Sequence, residues 1–296
     1  MRFNPKARVD QSQFEDRSGA GMRLPIPSGT GGRVTLGSIV IAILVLVASQ
    51  FLGGGIGLGG DGSGTADQTS CQTGEQANTS DKCAVALFTE SVQDYWSRAF
   101  AEQTNGTYQP IRSVVFSGQT SSGCGTAASA MGPFYCPNDT TVYLDSTFFD
   151  QMLEGDLGAK GGPFSIGYVI AHEYGHHVED QLGILRRMRT QQGPKSDGVK
   201  VELMADCLGG MWAKDAQQTV DADGNRIIEN LTSDDIARAI DAAQAVGDDR
   251  IQQRSSGRVD PEQWTHGSAA QRAHWFNVGL KEGSLQACNT FAPGAL

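Results

Sequence analysis

The chain has 296 residues, enough for one or two domains with a substantial core. Its 33 acidic and 23 basic side chains give a formal net charge of −10. That excludes a nucleic-acid binder that tracks phosphates, which needs a basic surface. Residues 1–33 run against this balance. They are polar, rich in Gly and Pro, and carry Arg2, Lys6, Arg8, Arg17, Arg23 and Arg33 against Asp10, Glu15 and Asp16. Such a composition reads as a disordered basic tail. Residues 34–52, VTLGSIVIAILVLVASQFL, form an uncharged apolar stretch about long enough to cross a bilayer as a helix. A cleaved signal peptide is the rival, but the preceding segment is long and no A-x-A site follows. The basic flank is expected in the cytoplasm and the remainder outside the cell membrane. Residues 53–81, rich in Gly and Ser, read as a flexible linker, and residues 82–296 as the folded domain.

All six cysteines (Cys71, Cys83, Cys124, Cys136, Cys207, Cys288) follow the apolar stretch, and none forms a C-x-x-C pair. An even number outside the membrane suits disulfides better than a zinc–thiolate site. Sequence alone leaves the pairing open. Closeness in the chain favours Cys71 with Cys83 and Cys124 with Cys136, which leaves Cys207 with Cys288.

Within the domain, Phe88, Val92, Tyr95, Trp96, Ala99 and Phe100 repeat at helical spacing over residues 86–103. Residues 111–118 and 141–145 are the best strand candidates, with a Gly-rich, Cys-bracketed loop between them. A short helix is expected over 149–153. A longer one runs to about residue 190, and another covers roughly 199–219. DADGN at residues 221–225 fits a tight turn better than a calcium loop, because Asn230 stands where a bidentate Glu is needed. Thr232 with Asp235, and Ser268 with Gln271, have the spacing of capping boxes that start two further helices. Few strands and several helices predict an α+β, mainly helical domain with a small sheet.

The chemistry concentrates in IGYVIAHEYGHHVEDQLG. His172 and His176 lie one helical turn apart, so both can meet one metal ion, while Glu173 can reach a metal-bound water as a base. Gly175 weakens a helix, so its presence predicts another backbone packed close by. A catalytic zinc usually takes three protein ligands and keeps one open position. Glu179 and Leu182 occupy the Gly and His places of the longer H-E-x-x-H-x-x-G-x-x-H pattern, so the third ligand must come from elsewhere. Glu202 in VELMADCLGG is the candidate. Asp206, four residues on, is placed to accept a hydrogen bond from a liganding imidazole. His266 is a second possible ligand or a donor to the transition-state oxyanion, and Arg272 is a possible substrate anchor. His177 and His274 read as structural, His274 as a packed core residue.

HEYGHHVEDQLG, ELMADCLGGMWA, GCGTAASAMGPFYCP followed by VYLD, and THGSAAQR together resemble the bacterial putative neutral zinc metallopeptidase family, the YpfJ-like proteins. The resemblance covers about residues 80–290, with the Arg-rich tail and membrane anchor ahead of them. It implies a zincin fold, Zn2+ on His172 and His176, and Glu173 as base. The expected function is therefore a membrane-anchored, HExxH-type zinc metallopeptidase acting on peptides or proteins. A substrate strand is expected to add to a sheet edge near residues 141–145. The alternatives are a zinc-dependent amidase on cell-envelope substrates and a non-catalytic envelope assembly factor with structural zinc.

Overall fold

The computed structural model describes residues 1–18 and 71–296. Residues 34–52 and most of the expected linker lie outside the described residues. Among the described residues, no helix is long and apolar enough to cross a membrane.

The fold is α+β, dominated by helices. In chain order the elements are β1 (Arg2–Phe3), β2 (Phe14–Asp16), α1 (Gly74–Ala77), α2 (Asp81–Thr104), β3 (Arg112–Phe116), β4 (Gln119–Ser122), β5 (Gly125–Ala128), β6 (Phe134–Cys136) and β7 (Thr141–Asp145). A wide-turned helical segment (Phe148–Asp156) follows, then α3 (Pro163–Gln181), α4 (Asp197–Asp215), β8 (Ile228–Glu229), α5 (Ser233–Ala245), α6 (Asp248–Ser256) and α7 (Ala269–Glu282). The main sheet has the order β2-β3-β7-β6, parallel except for the antiparallel β6–β7 pair. The strand expected to offer a free edge, β7, is therefore interior, and the edge belongs to β6.

Apolar residues explain the helical layer. Phe88 of α2, Phe164 of α3 and Trp212 of α4 meet in the core, with Phe164 stacked on Trp212 at 5.2 Å. The buried Trp212 indole satisfies its N–H by donating to Ser91 Oγ at 3.0 Å. Pro163 at the first turn suits the start of α3, since its missing N–H would have no helical partner there. The helix stops well before residue 190. Gly183 takes a φ of 69°, and the N–H groups of Gly183 and Ile184 fold back onto Asp180 and Glu179 carbonyls. Both expected capping boxes are formed, at Thr232–Asp235 and Ser268–Gln271. DADGN is a turn, in which the Asp221 carboxylate accepts from the N–H groups of Asp223 and Asn225. The three disulfides are Cys71–Cys83, Cys124–Cys136 and Cys207–Cys288.

The first 18 residues correct the expectation of a disordered tail. β1 pairs with β8 and β2 extends the main sheet alongside β3. Phe3, Ala7 and Phe14 are buried in the core. The Asp221 and Glu90 carboxylates accept from the Arg8 and Asp10 N–H groups, and Lys82 pairs with Asp16 at 2.6 Å. Composition signals disorder here because strand pairing is made by backbone groups, which composition does not register. The pairing also bears on topology. Residues 1–18 and 71–296 share one sheet, so a single membrane crossing between them would pull that sheet apart. In intact cells, Lys6→Cys and Ser255→Cys should respond alike to a membrane-impermeant maleimide. Modification of one and protection of the other would contradict a shared side.

Candidate metal centre

α3 and α4 cross closely, and the site forms where they meet. A Cβ at Gly175 would lie 3.0 Å from the Ala205 Cα, which bears out the close backbone approach expected at that glycine. At this separation Glu202 of α4 reaches over the turn of α3 that carries His172 and His176. Glu202 Oε2 lies 3.2 Å from His172 Nε2, and Oε1 lies 3.6 Å from His176 Nε2. The three donor atoms fall within 4.8 Å of one another. Zinc bonds near 2 Å at tetrahedral angles separate ligand atoms by roughly 3.3 Å, so this donor set fits zinc.

The opposite ring nitrogens are held by carboxylates. His172 Nδ1 lies 3.0 Å from Asp206 Oδ1, and His176 Nδ1 lies 2.8 Å from Glu179 Oε2. An Nδ1–H held in this way keeps the Nε2 lone pair directed at a metal. Asp206 is fully buried and has three further donors. The Tyr168 hydroxyl donates at 2.6 Å, and the Arg272 guanidinium donates in a fork, Nε to Oδ2 at 2.8 Å and Nη2 to Oδ1 at 2.9 Å. Burial would raise the Asp206 carboxyl, but Arg272 and His172 hold it below the usual carboxylate range. Burial would lower His172, yet hydrogen bonds to Asp206 and Glu202 carry it up to about 9. His176 follows its burial, which outweighs Glu202 and takes it down to about 4. Burial lifts Glu173 to about 7, with Glu202 adding to the effect and His172 opposing it. Glu179 goes well above its ordinary value through burial and the nearby Glu202, Asp206 and Glu173 carboxylates. A dication at the two Nε2 atoms would offset this crowding of negative charge.

The remaining candidates separate clearly. His266 reaches the site, with its Nε2 3.9 Å from Glu202 Oε1 and its Nδ1 2.7 Å from the Thr265 hydroxyl. Its loop is pinned by the Asp248 carboxylate, which accepts from the N–H groups of Thr265, His266 and Gly267. Arg272 corrects the expectation of a substrate anchor. It is 2 % exposed, and its guanidinium is spent on Asp206, Tyr168 and the Val246 carbonyl. His177 is structural as expected, its Nε2 2.7 Å from the Gln109 carbonyl. His274 is exposed rather than packed in the core. Sequence reasoning missed Glu179 and Tyr168. Glu179 stands three residues after His176, on the same helical face, and that spacing was its available signal.

Comparison with known proteins agrees with this geometry. The family described as "Putative neutral zinc metallopeptidase" matches residues 2–291. The chain belongs to that family. Zinc is thus the metal implied for the His172, His176 and Glu202 cluster. The chain is 40% identical over 298 residues to the uncharacterized protein YpfJ of Escherichia coli (strain K12), covering 97% of this chain and 95% of that one. It is 46% identical over 232 residues to an uncharacterized protein of Mycobacterium tuberculosis (strain ATCC 25618 / H37Rv), covering 78% and 77%. No solved structure matches. The family match begins at residue 2, so it takes in the N-terminal strands as well as the metal cluster.

Arg272→Met leaves Asp206 buried without its cation, which costs about 3–5 kcal/mol when a buried pair is broken. Chemical denaturation should show a loss of that order. Unchanged stability with only a raised KM would restore the substrate-anchor role.

Proposed function

We propose that this member of the family is an HExxH-type peptidase of zincin-like architecture, hydrolysing peptide bonds with Glu173 as general base. The observation that carries the proposal is the set of three ligand atoms within 4.8 Å, with Glu173 lining the same open cleft. Bound zinc would supply Lewis acidity, acidifying a water and polarising the scissile carbonyl. Glu173 then takes the water's proton and later hands it to the leaving amine. Burial raises its pKa above the ordinary carboxylate range, which makes it a stronger base than an exposed glutamate. Asp206 and Glu179 keep the two ligand imidazoles in the tautomer that ligation needs. His266 stands beside Glu202 on a pinned loop, where its Nε2 can donate to the oxyanion as the carbonyl becomes tetrahedral.

A structural zinc would call for a closed set of four ligands. Among the described residues the cluster comprises His172, His176 and Glu202, without His266. A base next to the ligands has no purpose in such a site. Both points favour catalysis over the assembly-factor alternative.

We also place the folded unit, residues 1–18 included, in an oxidising compartment. Three disulfides support that location. Residues 34–52 would serve as its contact with the membrane, on the side where the unit resides.

Glu173→Gln should retain zinc at wild-type stoichiometry while losing at least a hundredfold in peptide turnover. Metal analysis combined with a peptide-library digest checks this. Zinc-dependent turnover at the wild-type rate would remove Glu173 from its role.

A further inference from the structure

The cleft beside the ligand cluster holds about 650 Å3, and most of its walls are apolar. The ligands and Glu173 form part of the floor. Val169, one turn of α3 before His172, continues that floor as hydrocarbon. Phe148 and Met152 come from the wide-turned segment, Leu157 from just after it, Ile251 from α6, and Met131 from the turn before β6. The segment and α6 are tied together, since Arg254 donates to the Asp156 carbonyl at 2.9 Å. Gly132 packs against the Phe148 ring, within 3.5 Å of where a Cβ would stand. Together these residues make an apolar recess next to the reacting centre, whose walls suit a Leu, Met or Phe side chain rather than a polar one.

The polar side of the cleft is equally selective. β6 is the edge of the main sheet, and the Tyr135 N–H is turned toward the Glu173 carboxylate. Backbone groups on one side of a strand recur at every second residue. Pro133 and Pro137, on either side of β6, also line the cleft, and neither has an N–H to offer. This edge is therefore poor in N–H donors and offers carbonyl acceptors. A molecule lying along it must bring its own donors, as an extended peptide backbone does.

We infer that the cleft takes an extended peptide whose N–H groups bond the β6 carbonyls and whose bulky apolar side chain, beside the cleaved bond, fills the recess between Met131, Phe148, Met152 and Ile251. This substrate class rests on the peptidase function proposed above. Polar glycan portions of the cell envelope do not suit such walls, because they would lose water without gaining partners.

The test uses the full-length, zinc-loaded chain and a series of dipeptide hydroxamates, which need an accessible zinc but no turnover. The side chain next to the hydroxamate is isobutyl, benzyl, hydrogen or carboxymethyl, and affinities are read by calorimetry. The isobutyl and benzyl probes should bind at least tenfold more tightly than the hydrogen and carboxymethyl ones, as expected for burying a side chain of that size. Met152→Asp and Met131→Asp should each abolish that difference while leaving zinc content unchanged. Equal affinities across the series would overturn the apolar substrate class and leave the metal centre standing. Failure of every probe to bind would overturn both the substrate class and the peptidase function.

Discussion

The close crossing of α3 and α4 is the constraint on which the site depends. Gly175 allows the Ala205 backbone to approach. With the backbones this near, Glu202, Asp206 and Gly209 face α3 along one stripe of α4, at helical spacing. Glu202 lands on the Nε2 atoms and Asp206 on the far side of His172. A second close contact, between α4 and α7, is allowed by Gly210 and Gly279, where a Cβ would meet backbone of the other helix. The Cys207–Cys288 disulfide leaves from α4 and ties it to the chain beyond α7. That contact delivers Arg272 to Asp206. Three helices thus converge on one carboxylate, which fixes one imidazole.

The electrostatics follow from this packing. Glu173, Glu179 and Asp206 are buried, and Glu202 nearly so, within reach of one another. Arg272 is the permanent cation among them, and it serves Asp206. Such a surplus of buried carboxylates is costly unless a further positive charge is supplied. A zinc ion at the Nε2 atoms would supply it. Metal binding and stability of the helical layer should therefore be linked, since each satisfies the same carboxylates.

Much of the site was legible in the sequence because its chemistry is local. The i, i+4 histidines, the adjacent Glu173 and the Glu202–Asp206 pair on a second apolar helix are patterns that helix geometry interprets directly. The same holds for the two capping boxes, whose partners are three residues apart. Arg272 was misjudged, because an arginine near a site looks the same whether it meets substrate or a buried carboxylate. Only burial decides between the two. The N-terminal 18 residues were misjudged for a related reason. Their anchoring rests on backbone pairing and on a few scattered core residues, Phe3, Ala7 and Phe14, in a mostly polar stretch. The interior position of β7 depends on β6 and β2, strands of three residues each, too short to announce themselves by alternation.

The central claim is that His172, His176 and Glu202 hold zinc and leave a position for water. X-ray absorption at the zinc edge of the loaded, full-length chain tests this most directly. The account predicts two imidazole nitrogens and two oxygens at about 2.0–2.1 Å, one oxygen exchanging with added ligand. A third imidazole in a closed shell, or a sulfur at about 2.3 Å, would contradict it.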